Sequence, residues 1–202
     1  MKVALIGASG TAGSRVLTEL VNRGHQVLAL ATDASKIAPA SSVTPQSVDA
    51  NNSTALAAAL RGCDAVISAR KFKETNNQGL IEAVKAAGIK RYLVVGGAGS
   101  LETAPGVKEM DSPRFPPHVL PEAKAGGEFL SQLKQSDLDW TFLSPSRFFE
   151  PGPRTGKFRL GTDQLLVAAD GKSSISMEDY AIALVDELEQ GKHLRQRFTV
   201  GY

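Results

Sequence analysis

The sequence predicts an α/β protein with a doubly wound, mostly parallel sheet that carries helices on both faces. Short apolar segments alternate with longer segments of helical period along most of the 202 residues. The apolar segments are almost continuously hydrophobic, which is typical of buried parallel strands rather than of strands with one solvated face. Strict alternation of strand and helix indicates right-handed βαβ units.

The individual elements follow from this pattern. Five apolar segments are predicted strands, namely 3–6, 27–30, 65–67, 92–95 and 141–143. The first helix follows Gly13 and ends near Gly24, because glycine is favoured just after a helix. Three further helices are predicted from apolar residues spaced one turn apart, around 56–60, 80–87 and 129–133. Gly62 and Gly88 end two of them.

Two segments interrupt the alternation. Residues 101–121 contain five of the ten prolines and no regular period, which predicts a long loop of the kind that forms functional lids. Residues 157–160 and 165–167 predict a small β-hairpin. A last helix around 182–188 and a last strand at 198–200 follow. No linker divides the chain, so we expect one domain over residues 1–202, with 151–202 as a small extension on the substrate side.

The composition excludes several classes of protein. Hydrophobic residues make up 42% and charged residues 22%, as in soluble globular proteins. The formal net charge of +2 does not predict a nucleic-acid surface. No apolar stretch is long enough for a membrane span, and Gly7 interrupts the first apolar run too early for a signal peptide. The single cysteine, Cys63, cannot form an internal disulfide, so we expect a cytoplasmic location.

A glycine-rich segment directly after the first strand carries the strongest functional signal. Gly7 permits a tight turn, Gly10 lets the backbone approach a pyrophosphate, and Gly13 lets helix and strand pack closely. The following helix offers free N–H groups and a positive dipole end to phosphates. The segment therefore predicts a Rossmann dinucleotide site rather than a turn without a ligand. Its expected cofactor contacts are Gly7, Ser9, Gly10, Thr11, Ala12 and Gly13.

The spacing Gly-x-x-Gly-x-x-Gly resembles the atypical and extended branches of the short-chain dehydrogenase/reductase superfamily. Further matching segments are Val66-Ile67-Ser68-Ala69, Val94 to Leu101, Trp140 to Pro145, Gly156 to Arg159 and Arg195 to Val200. Together they resemble the NADH-flavin reductase group, whose relatives are the NmrA-like proteins and the flavin/biliverdin reductase type. The resemblance implies an NADP or NAD cofactor.

The resemblance places the adenosine ribose at the end of the second strand. An acid there favours NAD, and an arginine favours the 2′-phosphate of NADP. Thr32 stands where the NADP-dependent relatives have arginine, which leaves the preference open, and Lys36 slightly favours NADPH. Asp33 is either a ribose ligand or a helix N-cap.

The next two segments are expected to continue the cofactor site. Asp49 and Ala50 either match the pair that flanks adenine or form a simple turn before a helix cap at Ser53. Ser68-Ala69-Arg70 ends the fourth strand, where the resemblance implies passage of the ribose and pyrophosphate. The Arg70 side chain contacts a phosphate or an anionic substrate, or else reaches solvent.

The substrate half is expected around two later segments. Gly96, Gly97 and Gly99 lie at the carboxyl edge of the sheet and leave room for a flat ligand, with Gly97 as a cofactor contact. The resemblance implies that Pro145 faces the nicotinamide. The residues that follow it could contact an acceptor by stacking or by binding a phosphate tail, or belong to the core. They are Arg147, Phe148 and Phe149.

The catalytic acid of ordinary superfamily members is missing. Leu120 to Lys124 keeps the lysine of a Tyr-x-x-x-Lys pair and has leucine in place of the tyrosine. No other tyrosine lies nearby along the chain, and Tyr180 is far away in sequence. Lys124 either holds the nicotinamide ribose or is a surface lysine, and His118 is either the acid of the lid or a plain loop residue. No catalytic residue is therefore certain.

A flavin acceptor fits this pattern. Hydride transfer to a flavin depends on stacking and orientation, and water can supply the proton. We therefore expect an NAD(P)H-dependent reductase of a planar acceptor such as FMN or FAD. The alternatives are an NmrA-like regulatory sensor without turnover and a sugar epimerase or dehydratase.

Other ligands and partners are not expected. The three histidines are scattered, without the clustering that a metal site requires. The expected partner is a small planar molecule rather than a nucleic acid or a membrane. The expected assembly is a monomer or a homodimer.

Overall fold

The computed structural model describes residues 1–202 and contains twelve strands and five α-helices. In chain order these are β1 Lys2–Ile6, α1 Thr11–Asn22, β2 Gln26–Ala31, β3 Val43–Ser47, α2 Ser53–Leu60, β4 Ala65–Ser68, α3 Asn77–Ala86, β5 Arg91–Val95, β6 Glu102–Ala104, β7 Val107–Lys108, α4 Leu120–Gln135, β8 Asp139–Pro145, β9 Phe148–Glu150, β10 Arg159–Gly161, β11 Ser174–Ser176, α5 Met177–Gln190 and β12 Gln196–Gly201. None of the helices combines the length and the hydropathy that a membrane span requires.

The main sheet has eight strands in the order β10-β12-β8-β5-β4-β1-β2-β3. All neighbours run parallel except β10, which lies antiparallel to β12. The chain builds β1 to β3 outward in one direction and then returns to build β4, β5, β8 and β12 in the other. The predicted doubly wound sheet is therefore confirmed, and its direction reverses between β1 and β4. Ligands bind at such a switch point in open α/β sheets.

Two hydrophobic clusters cover the two faces of the sheet. In β1, Val3 and Leu5 point into the cluster formed with α1 and α5. Ala4 and Ile6 point into the cluster formed with α2, α3 and α4. Because successive side chains of a strand alternate between faces, both sets are buried. This double burial explains why the strands are continuously apolar.

The helix ends follow their sequence signals except at two starts. Helix α1 begins at Thr11 rather than after Gly13, because Gly10 is its N-cap, and the start of α2 also differs. Gly24, Gly62 and Gly88 all have positive φ values just after a helix, as predicted. The cap of α2 is Asn52 rather than Ser53, because Asn52 Oδ1 accepts a hydrogen bond of 3.0 Å from the N–H of Ala55. Ser53 is the first helical residue.

The predicted hairpin over residues 157–167 is wrong. Residues 159–161 form β10, which pairs with the edge strand β12, and residues 165–167 form no strand. The N–H of Leu165 instead donates to the carbonyl of Glu102 at 2.9 Å. The apolar pattern indicates strand-forming residues but not their partner, and the free edge of β12 offers β10 a longer neighbour.

The predicted long loop lies between β5 and α4. It contains the short β6–β7 hairpin and a single 3₁₀ turn at Glu109–Asp111, and it is otherwise irregular until α4 begins at Leu120. Pro121 lies in the first turn of α4, a position that tolerates proline. We call residues 101–119 the lid.

Candidate functional site

The glycine loop has a geometry that requires two of its three glycines. Gly7 has φ +86°, and a Cβ there would lie 2.6 Å from the carbonyl oxygen of Ala69. A Cβ on Gly13 would overlap the carbonyl oxygen of Gly7. Helix α1 therefore packs directly on the loop, and only glycine fits at these two positions.

Gly10 differs, because its open side faces a ligand space rather than protein. The nearest atom to a Cβ there is the Gly7 carbonyl oxygen at 3.3 Å, and Gly10 lines the main cleft of the molecule. Gly10 is also the N-cap of α1, whose first turn has neither a side-chain cap nor an acidic residue. The N–H groups and positive dipole end of α1 are thus available to an anion, which fits the pyrophosphate of a dinucleotide.

The main cleft has a volume of about 970 Å³ and opens at the carboxyl edge of β1, β4, β5 and β8. This volume lies at the upper end of the range for small-molecule sites, which is about 300–1,000 Å³. The walls include Gly10–Ala12, Ala69–Phe72, Val95–Ser100, the lid residues Thr103, Glu109, Ser112, Arg114–Pro116 and Val119, the α4 residues Glu122, Ala123 and Gly126, and Pro145–Phe149.

The cleft brings together about half of the residues expected from the sequence. Those on its walls are Gly10, Thr11, Ala12, Ala69, Arg70, Gly97, Pro145, Arg147, Phe148 and Phe149. The walls do not include Gly7, Ser9, Gly13, Thr32, Asp33, Lys36, Asp49, Ala50, Ser68, His118 or Lys124. Gly7 and Gly13 contact protein rather than the cleft and allow the loop to pack closely.

The expected adenosine corner lies beyond the cleft, at the ends of β2 and β3. Asp33 Oδ1 accepts hydrogen bonds from the N–H and the hydroxyl of Ser35, at 3.0 and 2.7 Å. These bonds hold the pKa of Asp33 below its ordinary value. The N-cap interpretation of Asp33 is thus confirmed, while its ribose role stays a prediction. Lys36 Nζ lies 3.8 Å from Asp33 Oδ2, and both side chains are exposed.

Two other expected cofactor residues make hydrogen bonds within the protein. Asp49 Oδ1 accepts a 2.9 Å hydrogen bond from the N–H of Asn51, which forms the turn before α2. The hydroxyl of Ser68 lies 2.9 Å from the buried hydroxyl of Tyr92. The Ser68 side chain therefore points into the core, and only its backbone faces the sheet edge.

Arg70 is a cation that lies beside the glycine loop. Its Cγ would lie 3.3 Å from a Cβ on Gly7, and its Nε donates a 3.1 Å hydrogen bond to Thr75 Oγ1. No carboxylate pairs with it. The guanidinium lies at the cleft rather than in open solvent, where it could meet a phosphate.

The glycines after β5 make room for different neighbours. A Cβ on Gly96 would overlap the ring of Phe142, and a Cβ on Gly99 would lie 2.5 Å from the Cβ of Ala123 in α4. A Cβ on Gly97 would meet nothing closer than the Phe72 ring at 3.9 Å. The expectation of room for a flat ligand thus holds at Gly97, and it is wrong at Gly96 and Gly99, where protein fills the space.

The two adjacent phenylalanines have different surroundings. The Phe149 ring is half-buried and packs against Tyr180 with a centroid distance of 4.6 Å. Phe148 is 55% exposed and lines the cleft. Each interpretation therefore fits one member of the pair. Phe149 packs against the core, and the ring of Phe148 is exposed and available for stacking.

Arg147 is paired with a lid carboxylate that the sequence analysis missed. Its Nε and one terminal nitrogen donate to the two carboxylate oxygens of Glu109, at 2.6 and 2.9 Å. Glu109 is only 6% exposed. The hydrogen bonds to Glu109 raise the pKa of Arg147, so its positive charge is fixed but compensated.

A second missed carboxylate joins two walls of the cleft. Glu122, near the start of α4, accepts hydrogen bonds from the N–H groups of Phe72 and Lys73 at 2.7 and 3.0 Å. The Phe72 ring in turn stacks on Phe142 with a centroid distance of 5.9 Å. Glu122 thereby fixes the segment after β4 against α4.

Tyr180 lies beneath the cleft despite its distance along the chain. Its hydroxyl donates to the carbonyl of Leu143 at 2.6 Å and accepts from the N–H of Gly96 at 3.3 Å. Burial raises its pKa, and the residue is not exposed to the cleft. Tyr180 is thus distant along the chain, but the fold brings it beneath the cleft, where it supports the sheet edge without lining the cleft.

The two candidate acids from the sequence lie outside the cleft. His118 and Lys124 are exposed, and neither lines its walls. Leu120 begins α4 and is half-buried. No group of three or more histidine, cysteine or acidic side chains could hold a metal ion.

A family comparison identifies the cofactor class. The model of a family described as NAD(P)H-binding matches residues 7–191. The chain belongs to this NAD(P)H-binding family. Its glycine loop and the uncapped start of α1 can hold the cofactor's pyrophosphate, and Pro145, buried at the end of β8, forms part of the wall where the nicotinamide is expected.

Individual relatives span almost the whole chain. The uncharacterized protein YwnB of Bacillus subtilis is 43% identical over 99% of this chain and 98% of its own length. The NAD(P)H azoreductase of Xenophilus azovorans is 28% identical over 98% of this chain and 67% of its own.

Solved structures give the same fold. One from Bacteroides thetaiotaomicron, provisionally named an epimerase, is 45% identical with a TM-score of 0.95, over 100% of this chain and 96% of its own. Another from Streptococcus pneumoniae, provisionally named an NADH-flavin reductase, is 36% identical with a TM-score of 0.85, over 100% of this chain and 99% of its own. This NAD(P)H-binding protein is therefore similar to proteins that carry both reductase and epimerase names.

Proposed function

We propose that this protein is an NAD(P)H-dependent oxidoreductase that reduces a flavin or a similar planar acceptor by direct hydride transfer. One observation carries the proposal. A single cleft joins the glycine loop at one end to the exposed Phe148 ring at the other, and neither tyrosine nor histidine lines it. A ketone or sugar substrate requires a side chain that donates a proton, whereas a flavin does not.

The acidic residues of the cleft do not fill the role of proton donor. Glu109 accepts two hydrogen bonds from Arg147, and Glu122 accepts two from backbone N–H groups. Both carboxylates therefore act as hydrogen-bond acceptors for groups of the protein itself. The residues of the cleft bind and orient the cofactor and the acceptor, and solvent supplies the proton.

The walls provide orientation at the acceptor end. Bound NAD(P)H supplies the hydride. Phe148 presents an aromatic face to the cleft, and Phe149 and Tyr180 hold the adjoining backbone against the core. Pro145 is buried beside them. Placing two flat rings in contact by such walls can supply much of the rate enhancement of a hydride transfer.

The names of two similar proteins support a reductase. One is named an NAD(P)H azoreductase, and another is provisionally named an NADH-flavin reductase. The epimerase name of a third has less support here, because the cleft lacks a tyrosine that could exchange a proton with a sugar.

Oxidation of NADPH and NADH, measured anaerobically with and without FMN, tests the proposal. We expect turnover only with the acceptor. Phe148→Ala should raise the KM of FMN about three- to tenfold, the range for losing one aromatic contact, without changing the affinity for NADPH. Leu160→Ala is a matched control, since Leu160 is similarly exposed and lies outside the cleft.

The same experiment separates the alternative of a regulatory sensor. Binding of NADPH without turnover of FMN, riboflavin or an azo dye would contradict the proposal and favour a sensor. The observation that favours this second function is that neither a tyrosine nor a histidine lines the cleft.

A further inference from the structure

We infer that the acceptor carries an anionic side arm and that Arg114 of the lid binds it. This inference rests on the proposed function, because it names the class of planar acceptor that the cleft takes. The argument starts from the charged side chains on the cleft walls. Four are cations and two are carboxylates, namely Arg70, Lys71, Arg114, Arg147, Glu109 and Glu122.

Most of these cations are already engaged. Arg147 is paired through two nitrogens with Glu109, so its charge is compensated. Lys71 Nζ lies 3.7 Å from Glu74 Oε1. Arg70 lies beside the glycine loop, where the cofactor's own pyrophosphate is expected. None of the three is left to bind a substrate anion at the lid.

Arg114 is the exception. Its backbone N–H donates to Ser112 Oγ at 3.2 Å, but its guanidinium forms no hydrogen bond and no ion pair within the protein. The turn that carries it is held by the N–H of Phe115, which donates to the carbonyl of Ser112 at 2.9 Å. A fixed backbone thus presents an uncompensated guanidinium to the cleft.

The lid itself is anchored close to Arg114. The N–H groups of Glu109 and Met110 donate to the carbonyls of Leu101 and Gly99 at 2.8 and 2.9 Å. Together with the Glu109–Arg147 pair, these bonds fix the inner end of the lid over the cleft. The lid segment that leads to Arg114 is therefore held by contacts within the protein.

The neighbours of Arg114 indicate what the anion is attached to. Phe115 and Pro116, which follow Arg114 in the lid, also line the cleft, and Phe148 contributes an exposed ring to its walls. Apolar and aromatic walls suit a flat ring, and a guanidinium suits a phosphate or carboxylate. The geometry therefore favours a planar ring with a phosphate or carboxylate arm over an uncharged ring.

Two pairs of probes separate the ring from its charge. FMN and riboflavin share one ring system and differ in the phosphate. The azo dye methyl red carries a carboxylate that 4-dimethylaminoazobenzene lacks. Binding of each probe is measured by equilibrium titration with the protein saturated with NADP⁺, so that the outcome does not require turnover.

We expect Arg114→Gln to weaken FMN binding about tenfold, as for one charge-assisted hydrogen bond, and to leave riboflavin unchanged. If Arg114→Gln weakens the binding of FMN but not of methyl red, the preferred arm is a phosphate. If it weakens the binding of methyl red but not of FMN, the preferred arm is a carboxylate. Lys108→Gln is the control, because Lys108 is an exposed cation of the same lid that does not line the cleft.

Equal affinities of charged and uncharged probes for the unmodified protein would overturn the inference. So would an Arg114→Gln variant that binds both anions normally. Failure of the proposed function is a different result, namely tight binding of the probes without oxidation of NADPH by any of them.

Discussion

Arg147 donates hydrogen bonds to both carboxylate oxygens of Glu109, at 2.6 and 2.9 Å, and so joins the lid to the segment after β8. The two residues are 38 positions apart in the chain. The pair fixes the inner end of the lid and cancels the charge of the arginine that the sequence places nearest to the aromatic pair. The anion preference of the cleft is therefore set by which cations remain uncompensated.

Glu109→Gln should tighten the binding of FMN. The substitution removes the negative charge that compensates Arg147, so the cleft gains one effective cation. We expect up to about a fivefold gain in affinity, which corresponds to one partly exposed charge interaction, and no gain for riboflavin. Fluorescence titration of the flavin with the NADP⁺-saturated protein measures both. Glu102→Gln removes the same charge from a lid residue outside the cleft, so it should change the affinity for neither flavin. Weaker binding of FMN by Glu109→Gln would contradict the role given to Arg147.

Gly10→Val should abolish binding of NADPH and NADH while leaving the fold stable. Gly10 has extended backbone angles that valine can adopt, and a Cβ there meets the protein no closer than 3.3 Å. The added side chain would instead occupy the space of the pyrophosphate. We expect a change of less than about 1 kcal/mol in the free energy of unfolding. Calorimetric titration and urea denaturation measure the two effects.

The contrasting substitution in the same loop is Gly13→Ala. Its Cβ would overlap the carbonyl oxygen of Gly7, so we expect a loss of about 1–3 kcal/mol in stability from overpacking. If Gly10→Val bound both cofactors with normal affinity, the glycine loop would not be the cofactor site.

The sequence predicts most of the central sheet because burial on both faces leaves a local signal. The strands β1, β2, β4, β5 and β8 contain apolar runs, and positive-φ glycines follow α1, α2 and α3. Strand β3, Val43–Ser47, lacks such a run because it is an edge strand whose side chains are mostly exposed. The partner of β10 could not be predicted, since pairing depends on which edge is free in the assembled sheet.

The sequence likewise predicts only part of the candidate site. The glycine loop is recognisable because its turn, its close packing and its helix start are adjacent in the chain. The contacts Glu122–Phe72 and Tyr180–Gly96 join residues 50 and 84 positions apart, and no local pattern marks them. They arise only when the sheet brings the ends of its strands together.

Lys36→Gln should remove a small preference for NADPH. Lys36 lies at the expected position of the 2′-phosphate, but its Nζ is 3.8 Å from Asp33 Oδ2 and both side chains are exposed. A charge interaction of this kind is worth up to ~1 kcal/mol, so we expect NADPH to bind about fivefold better than NADH at most. Dissociation constants of both cofactors test this, with Lys90→Gln as the control. A strong preference for NADH that disappears in Asp33→Asn would show instead that Asp33 binds the ribose.

Asp179→Asn should destabilise the protein at neutral pH and have less effect in acid. Asp179 is fully buried at the start of α5. Its carboxylate accepts hydrogen bonds from the N–H groups of Thr155 and Gly156 at 2.7 and 2.8 Å and from the hydroxyl of Tyr202 at 2.8 Å. Burial raises the pKa of Asp179, but hydrogen bonds, above all the one from the Thr155 hydroxyl, outweigh burial and leave the pKa below its ordinary value.

The direction of the pH dependence follows from that shift. A carboxyl group whose pKa is lower in the folded state stabilises the fold above the unfolded-state pKa of about 3.9 and loses this contribution as the pH falls through the folded-state pKa. We expect Asp179→Asn to cost about 1–3 kcal/mol at neutral pH. Urea denaturation at neutral pH and below about pH 4 should show the difference narrowing. The exposed Glu82→Gln serves as the control, and a difference that stays constant with pH would be evidence against this role.

Substitution of the candidate acids should leave flavin reduction largely intact. His118 and Lys124 lie outside the cleft, and Leu120 takes the place of the superfamily tyrosine. If the protein only positions its ligands, His118→Ala and Lys124→Met should change the KM more than the kcat with FMN. Leu120→Tyr should likewise leave the kcat nearly unchanged, because the flavin does not require a proton from that side chain. Steady-state oxidation of NADPH measures all three.

The magnitude of the alternative makes this last test decisive. Removing a true general acid lowers the rate by about 10²–10⁴, whereas removing a positioning contact has a much smaller effect on the kcat. A His118→Ala variant that binds NADPH and FMN normally but loses about a thousandfold in kcat would show that the lid brings His118 to the acceptor during turnover. In that case the protein, and not the solvent, would supply the proton, and the enzyme could also reduce substrates that require a general acid. Normal kcat values in all three variants leave the walls of the cleft, above all Phe148 and the glycine loop, as the groups that carry the reaction.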